Sequence, residues 1–350
     1  MNWLSNFIRP KIRSLVDSQK EVPDNLWTKC PACEGMLFQR DLKERLNTCN
    51  HCGYHLRWPV EERLAHLFDG GRYENLKLPR VPADPLKFKD RRKYTDRLKE
   101  AREETGRQDA MIVGVGPVDG RELVIAAFDF EFMGGSMGAA VGEAIVMAAE
   151  EAVKRKLPLL VIPGSGGARM QEGAFSLMQM PRTIIAVDMV KEAGLPYFVL
   201  LTDPTTGGVS ASFAMVGDIH MAEPGAMIGF AGKRVIQETI REALPEGFQT
   251  AEYLVDHGMV DMVVPRDAQR ATIARLIGFL TQPVLGNKPR RGKDKDKGDG
   301  NGAAISLKAK AAESKARAAG TVAKLPPAND AVDKATTNTV LPLRRKAARG

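Results

Sequence analysis

The chain has no continuous apolar run approaching the roughly 18 residues of a membrane span, and it opens Met1-Asn2-Trp3-Leu4-Ser5 without the apolar stretch of a signal peptide. These absences point to a soluble, cytoplasmic protein without a transmembrane helix. Nucleotide motifs are missing as well: there is no P-loop with its Gly-Lys-Ser/Thr, and no G-x-G-x-x-G following a first strand. A Gly-x-Ser-x-Gly elbow is also lacking, and none of the five histidines (His51, His55, His66, His220 and His257) is an obvious partner for a serine. That argues against a serine nucleophile activated by an imidazole.

Cysteine is scarce too, with four in 350 residues, yet all four fall in one pattern. Cys30-Pro31-Ala32-Cys33 and Cys49-Asn50-His51-Cys52 are two C-x-x-C knuckles, and each can aim two thiolates at one point. Together they form a closed tetrahedral sulfur shell for one structural zinc ion, with no open position for water. Two disulfides would require an oxidising compartment, which the missing signal peptide disfavours. His51 and His55 lie nearby, but four thiolates need no further ligand. Short strands are expected at Met36-Leu37-Phe38 and Asn47-Thr48.

The formal charge of +8 invites a nucleic-acid reading until its distribution is considered. Residues 285–350 hold sixteen Lys or Arg against six Asp or Glu, a net of +10, which leaves −2 for residues 1–284. This tail has no aromatic residue, so disorder is expected there. It reads either as an electrostatic arm for nucleic acid or an acidic partner or, preferably, as a solubilising extension.

The domain organisation expected is an N-terminal segment (1–25), the ribbon (26–57), a helical connecting collar (58–108), a main domain (109–284) and the tail (285–350). Helices are predicted over 60–68 and 94–104. Runs over 111–118 and 122–130 joined by Asp119-Gly120 read as a hairpin. The pattern then becomes strand, glycine loop, helix: a helix over 139–155, a strand over 159–162, a helix reaching 193, a strand over 197–201, another helix after Gly207-Gly208 and a strand over 226–230. Helices over 233–242, 250–257 and 268–280 and a strand over 259–264 close a mixed α/β domain with parallel crossovers.

Two loops concentrate the chemistry, Pro163-Gly164-Ser165-Gly166-Gly167-Ala168-Arg169 and Thr202-Asp203-Pro204-Thr205-Thr206-Gly207-Gly208. Consecutive glycines between a buried strand and a helix start let main-chain N–H groups face outward, where they can hold an anion, either a phosphate or a developing oxyanion. Glycine pairs are also plain turns and close-packing points, and both readings stay open on the residues alone. Glu143 and Asp203 are weak candidates for a base, since one falls in a predicted helix and the other precedes a proline.

The run Ser165 to Gly173, the run Thr202 to Ser210, Ala222-Glu223-Pro224 with Ile228-Gly229-Phe230-Ala231-Gly232, and the four-cysteine ribbon together resemble the β subunit of bacterial-type acetyl-CoA carboxylase carboxyltransferase over residues 1–284. The resemblance implies a crotonase-like ββα superhelix. It implies carboxyl transfer from carboxybiotin, carried by the biotin carboxyl carrier protein, to acetyl-CoA, giving malonyl-CoA, the first committed step of fatty-acid synthesis. It implies activity only with a carboxyltransferase α subunit, as an α2β2 heterotetramer, alongside biotin carboxylase. Gly207 and Gly208 match the family's catalytic pair that stabilises the enolate oxygen. Gly166, Gly167, Ala168 and Arg169 match the other, substrate-lining loop, with Arg169 either a CoA-phosphate contact or, preferably, a salt-bridge partner of Glu172. The biotin nitrogen left after decarboxylation would take the acetyl proton, so no side-chain base is required. ATP and nucleotide binding come with the resemblance too. The competing expectations are a stand-alone crotonase-like hydratase or isomerase, which would place Glu residues in these loops, and a nucleic-acid-binding protein using the tail and the ribbon's Lys29, Arg40, Lys43, Arg45 and Arg57.

Overall fold

The computed structural model describes residues 26–281; the N-terminal segment and the expected disordered tail lie outside the described residues. The ribbon holds β1 (Trp27–Lys29), β2 (Met36–Phe38) and α1 (Gln39–Glu44), and then come α2 (Val60–Leu67), β3 (Glu74–Asn75) and α3 (Tyr94–Thr105). Next are β4 (Met111–Val118), β5 (Arg121–Phe128), α4 (Ala139–Arg155), β6 (Leu159–Ile162), α5 (Ala174–Leu177), α6 (Gln179–Glu192) and β7 (Tyr197–Leu201). The last part has β8 (Thr205–Thr206), α7 (Gly207–Ser210), β9 (Ile219–Ala222), β10 (Ile228–Gly229), α8 (Lys233–Ile240), α9 (Ala251–Asp256), β11 (Met262–Val263) and α10 (Arg266–Thr281).

Asp119 and Gly120 do form the hairpin turn. Both have positive φ, 51° and 74°, as a two-residue turn matched to strand twist requires. The Asp69 carboxylate accepts both turn amides at 2.8 Å and pairs with Arg270 at 2.6 Å. The hairpin lies inside the β3 edge of a seven-stranded sheet in the order β11-β9-β7-β6-β5-β4-β3. Pairing is antiparallel from β3 to β5 and parallel from β5 to β11. The parallel half follows from the strand, glycine loop, helix repeat, because a parallel neighbour can be reached only by a crossover.

Strand residues alternate between two helical layers. On one face Val124, Ala126, Val161, Val199 and Leu201 pack with Val141, Ile145 and Ala148 of α4 and Val187 of α6. On the other, Leu123, Ile125, Leu160, Phe198 and Leu200 pack with Leu64 and Leu67 of α2 and Ile273 and Ile277 of α10. The loops after β5, β6, β7 and β9 all leave the same, C-terminal edge of the parallel strands, where α/β proteins assemble their sites.

The segment expected as a connecting collar is built into this core. Phe68 is 1% exposed and β3 extends the sheet. Gly114 and Gly116 of β4 make room for it: a Cβ at Gly114 would lie 2.7 Å from Tyr73 Cδ2, and one at Gly116 3.1 Å from Phe68 Cδ1. The long helix expected to run to 193 begins only after Gly173, whose backbone (φ 50°, ψ −128°) is not helical, and is divided at Met178 into α5 and α6. The helix after Gly207-Gly208 is a single turn, ended at Ser212 (φ −136°, ψ −123°). Strands expected over 226–230 and 259–264 shorten to β10 and β11, and Asn47-Thr48 makes only a bridge from Thr48 to His55. Replacing Phe68 by Ala should cost about 3–5 kcal/mol, read as a lower urea midpoint; a near-neutral result would remove 58–108 from the core.

Candidate active site and zinc ribbon

The four cysteine sulfurs lie within 4.8 Å of one another, with Cys30 to Cys52 and Cys33 to Cys49 each 3.7 Å. A disulfide needs about 2.05 Å, whereas zinc–sulfur bonds of about 2.3 Å in a tetrahedron set the sulfurs about 3.8 Å apart. The group fits zinc and excludes two disulfides. Burial opposes ionisation of Cys30, but the Cys33 and Ala32 amides and neighbouring thiols bring it down to about 7. The Tyr54 amide favours the Cys52 thiolate, yet burial and the other three thiols push it up to about 12. Cys30 and Cys52 are therefore ionised together near neutrality only beside a cation. The ribbon's own buried core is Leu37 and Leu42 beside Cys30 and Cys49, too little to hold a fold without metal. Replacing Cys52 by Ser should remove bound zinc, which elemental analysis of the wild type should show at one ion per chain.

Charge on the ribbon is largely compensated. Lys29 pairs with Glu34, Arg40 with Glu44 and Lys43 with Glu62, while Arg57 lies over the Phe130 ring at 3.5 Å. That interrupts the expected basic face.

In the first glycine loop most amides are already bonded. Ser165 N donates to Pro204 O, Gly166 N to Gly134 O, Gly167 N to Ser165 Oγ and Arg169 N to Met137 O. The Ser165 hydroxyl thus caps its own loop. Met137 bridges Gly167 and Arg169, so the intervening Ala168 N–H faces away from Met137, and it has no acceptor among the described residues. In the second loop Thr206 N donates to Ser165 O and Gly207 N to Phe230 O. Gly208 is the second residue of α7, and an amide at that position has no intrahelical acceptor. The loops abut: a Cβ at Gly207 (φ 63°) would lie 3.1 Å from Gly167 Cα and 3.9 Å from Ala168 N, and one at Gly208 3.4 Å from Ala168 Cβ. The Ala168 amide, free to donate, thereby lies beside a cavity of about 560 Å³ lined by Ala168, Gly166, Ser136, Arg92 and Met170, and the loop that carries the Gly208 amide abuts it from behind.

Arg169 does not reach that cavity with its charge. Its side chain is fully enclosed. Nη1 and Nη2 clasp Asp109 at 2.9 and 2.6 Å, and the remaining donors reach Ser136 Oγ, Ser136 O and Tyr94 Oη at 3.0, 2.8 and 3.2 Å. The expected Glu172 contact exists but is longer, 3.4 Å. A CoA-phosphate contact is excluded by this geometry: every N–H of the guanidinium is committed inside. Glu172 instead accepts Tyr94 Oη–H at 2.7 Å and the Ala139 amide, at the start of α4, at 2.6 Å. Glu143 pairs with Arg182 between α4 and α6, and Asp203 accepts the Met227 amide at 3.1 Å; both roles are structural. Sequence reasoning missed Asp109 and Tyr94 because their partner lies 60 and 75 residues away. Removing the Asp109 carboxylate with Ala leaves a buried cation, and should cost about 3–5 kcal/mol by chemical denaturation.

A crotonase-like α/β core with glycine turns at its strand ends and a four-thiolate ribbon defines the chain as a carboxyl transferase. A family model described as Carboxyl transferase domain matches residues 85–310, and one described as Acetyl-CoA carboxylase zinc finger domain matches 27–52. The chain belongs to the family of the acetyl-CoA carboxylase carboxyl transferase subunit beta. The relative from Granulibacter bethesdensis is 59% identical over 284 residues, covering 81% of this chain and 92% of that protein, and that from Allorhizobium ampelinum is 58% identical over 282 residues, with 81% and 92% covered. Among solved structures, transcarboxylase 12S superposes with a TM-score of 0.54 at 25% identity, over 64% of this chain and 41% of that one. The β subunit of P. aeruginosa geranyl-CoA carboxylase shares the fold with a TM-score of 0.50 at 18% identity, over 69% of this chain and 40% of that one. The chain is thus a biotin-dependent carboxyltransferase subunit of a multisubunit acetyl-CoA carboxylase, with a zinc ribbon. The hydratase and nucleic-acid readings are not favoured, and ATP binding gains no support. Among the described residues no helix is long and apolar enough to cross a membrane.

Proposed function

We propose that this chain supplies the thioester side of a carboxyltransferase site shared with a carboxyltransferase α subunit in an α2β2 assembly. The observation that carries the reading is the close abutment of the two loops that bear the Ala168 and Gly208 amides, each without an internal acceptor. Acetyl-CoA places its carbonyl oxygen between these donors. Carboxybiotin, brought by the biotin carboxyl carrier protein after biotin carboxylase has charged it, releases carbon dioxide. The biotin nitrogen takes a proton from the acetyl methyl, the enolate carbon attacks carbon dioxide, and malonyl-CoA forms. Negative charge grows on the thioester oxygen as the proton leaves, so fixed N–H donors stabilise the transition state more than the ground state. Gly207 acts by geometry: with φ at 63°, it turns the chain into α7 while its own amide is held by Phe230 O, leaving Gly208 N–H as the donor of this loop. Gly166 and Gly167 keep the facing loop free of side chains. The setting proposed is the cytoplasm, where this synthesis occurs.

The partner is supported by what lies exposed beside the loop. Met170, Phe175, Leu177 and Met178 follow the first glycine turn, and Ile185 lies further along α6; Met170 is 70% exposed and Ile185 62%. Apolar side chains grouped beside a site in this way mark a surface that another chain covers. In the assembled carboxylase Gly207→Val should lower kcat about 100-fold, as loss of one oxyanion donor does, while zinc content stays at wild-type level. Carboxyl transfer by the isolated chain at the full rate would overturn the shared-site reading.

A further inference from the structure

A buried arginine of the main domain gathers three main-chain carbonyls of the ribbon. Arg266, the first residue of α10, has five N–H groups and all are committed. Nη1 donates to Leu46 O and Asn47 O at 2.8 and 3.0 Å, and Nη2 to Leu56 O at 2.7 Å; all three carbonyls belong to the ribbon around the second knuckle. Nε and Nη2 donate to the two oxygens of Glu223 at 3.0 and 2.9 Å. Glu223 is 2% exposed and also accepts from Arg63 at 2.6 Å and Gln269 at 3.1 Å. Both guanidinium groups lie over Trp58, Arg63 at 4.8 Å and Arg266 at 5.1 Å.

The ribbon carbonyls that Arg266 reads are arranged by the metal-binding knuckle. Cys49 N bonds Tyr54 O, Gly53 N bonds Cys49 O, and Leu56 N bonds Asn47 O, so the chain around Cys49 and Cys52 forms the short hairpin that presents them. Beyond Glu223 the path continues toward the glycines. Glu223 N bonds Leu201 O at the end of β7, and Ala226 N bonds Glu223 O. Thr205 N then bonds Met227 O, Ile228 and Gly229 pair with Thr205 and Thr206, and Phe230 O holds the Gly207 amide at 2.9 Å. Every link between the thiolates and Gly207 is a hydrogen bond, an ion pair or a short covalent stretch.

We propose that Arg266 and Glu223 are positioning residues that carry the order of the zinc ribbon to the glycine turn at 205–208. The catalytic consequence rests on the reading of Gly208 N–H as an oxyanion donor; the physical coupling does not. Lysine cannot replace Arg266, because an ammonium has three donors and no planar fork to span a carboxylate and three carbonyls.

The test is a cycle of zinc removal and Arg266→Lys on the full chain, read by hydrogen–deuterium exchange and by steady-state kinetics in the assembled carboxylase. In the wild type, chelation should raise exchange over 202–212 while 111–128 stays protected, and should lower kcat by about tenfold, as small misplacements of reacting groups do, with KM for acetyl-CoA changed less than twofold. Zinc-loaded Arg266→Lys should already show both effects, and chelation should then add little, because two perturbations of one path are not additive. Glu223→Gln should behave alike, and it decides the matter if Arg266→Lys loses its far-ultraviolet circular dichroism. Wild-type exchange over 202–212 unmoved by chelation, losses that add independently, or a zinc-loaded variant with wild-type exchange and kcat would each overturn the coupling. Coupled exchange in an assembly that transfers no carboxyl group would uphold the coupling and overturn the oxyanion assignment.

Discussion

The clasp between Arg169 and Asp109 is the constraint on which the candidate site depends. A guanidinium with no exposed surface is costly to bury, and it is stable here because every donor has an acceptor and the first of them is a carboxylate. Its anchors come from distant parts of the chain: Asp109 leads into β4, Tyr94 begins α3, and Ser136 lies in the glycine cluster before α4. Glu172 ties the same group to the first amide of α4, where a carboxylate also meets the positive end of the helix. Burial raises the Tyr94 hydroxyl pKa far above the ordinary tyrosine value, with Glu172 adding to the rise against the pull of Arg169, so Tyr94 stays a neutral donor to Glu172. The loop bearing Ala168 is therefore immobilised by charge on one side while its other side is left bare.

Arg266 and Glu223 repeat this logic at the ribbon. Burial pulls the Arg266 pKa down against the opposing attraction of Glu223. At Glu223 burial works to raise the carboxyl pKa, but Arg63, His55 and Arg266 overcome it and hold the group well below the usual carboxylate range. The ion pair stays charged at neutral pH. Arginine suits both places for the same reason: a planar fork can satisfy a carboxylate and several carbonyls at once. A ribbon with so small a core depends on metal for its internal order and on Arg266 for its attachment.

Local patterns in the chain announce what local physics decides. The cysteine knuckles, the Asp119-Gly120 turn and the apolar runs of β6 and β7 each act over a few residues, and the structure places them where periodicity and spacing do. The strand β9, next to the β11 edge of the sheet, is different. Ile-His-Met-Ala has one β-branched residue and a histidine, and it is a strand because β7 and β11 flank it; tertiary pairing overrides weak propensity. The collar looked like a linker for a related reason. Its polar surface hides the positions, among them Val60, Leu64, Leu67, Phe68, Tyr94, Leu98 and Ala101, that reach the core. The glycine loops were visible as loops, and the family resemblance pointed to their use, but which amides remain free depends on partners such as Gly134 and Phe230, 32 and 23 residues from the amides they hold.

A site made of main-chain donors places its demands on the surroundings instead of on itself. A histidine or carboxylate can be recruited by rotating a side chain, but an amide points only where its backbone points, so free N–H groups require the neighbouring amides to be occupied. That is what the bonds of Ser165, Gly166, Gly167, Thr206 and Gly207 accomplish: each withdraws one donor from the loop and fixes the direction of the next. Glycine is required where the two loops touch, since a Cβ on Gly167 would lie 3.3 Å from both Gly207 Cα and Thr206 O. The preorganisation that favours an oxyanion over a neutral carbonyl is then built before substrate arrives, and little reorganisation remains for the moment of reaction. In the proposed reaction no acid–base pair is required of this chain, because the proton acceptor would arrive with the second substrate and the chain would have one oxygen to hold still.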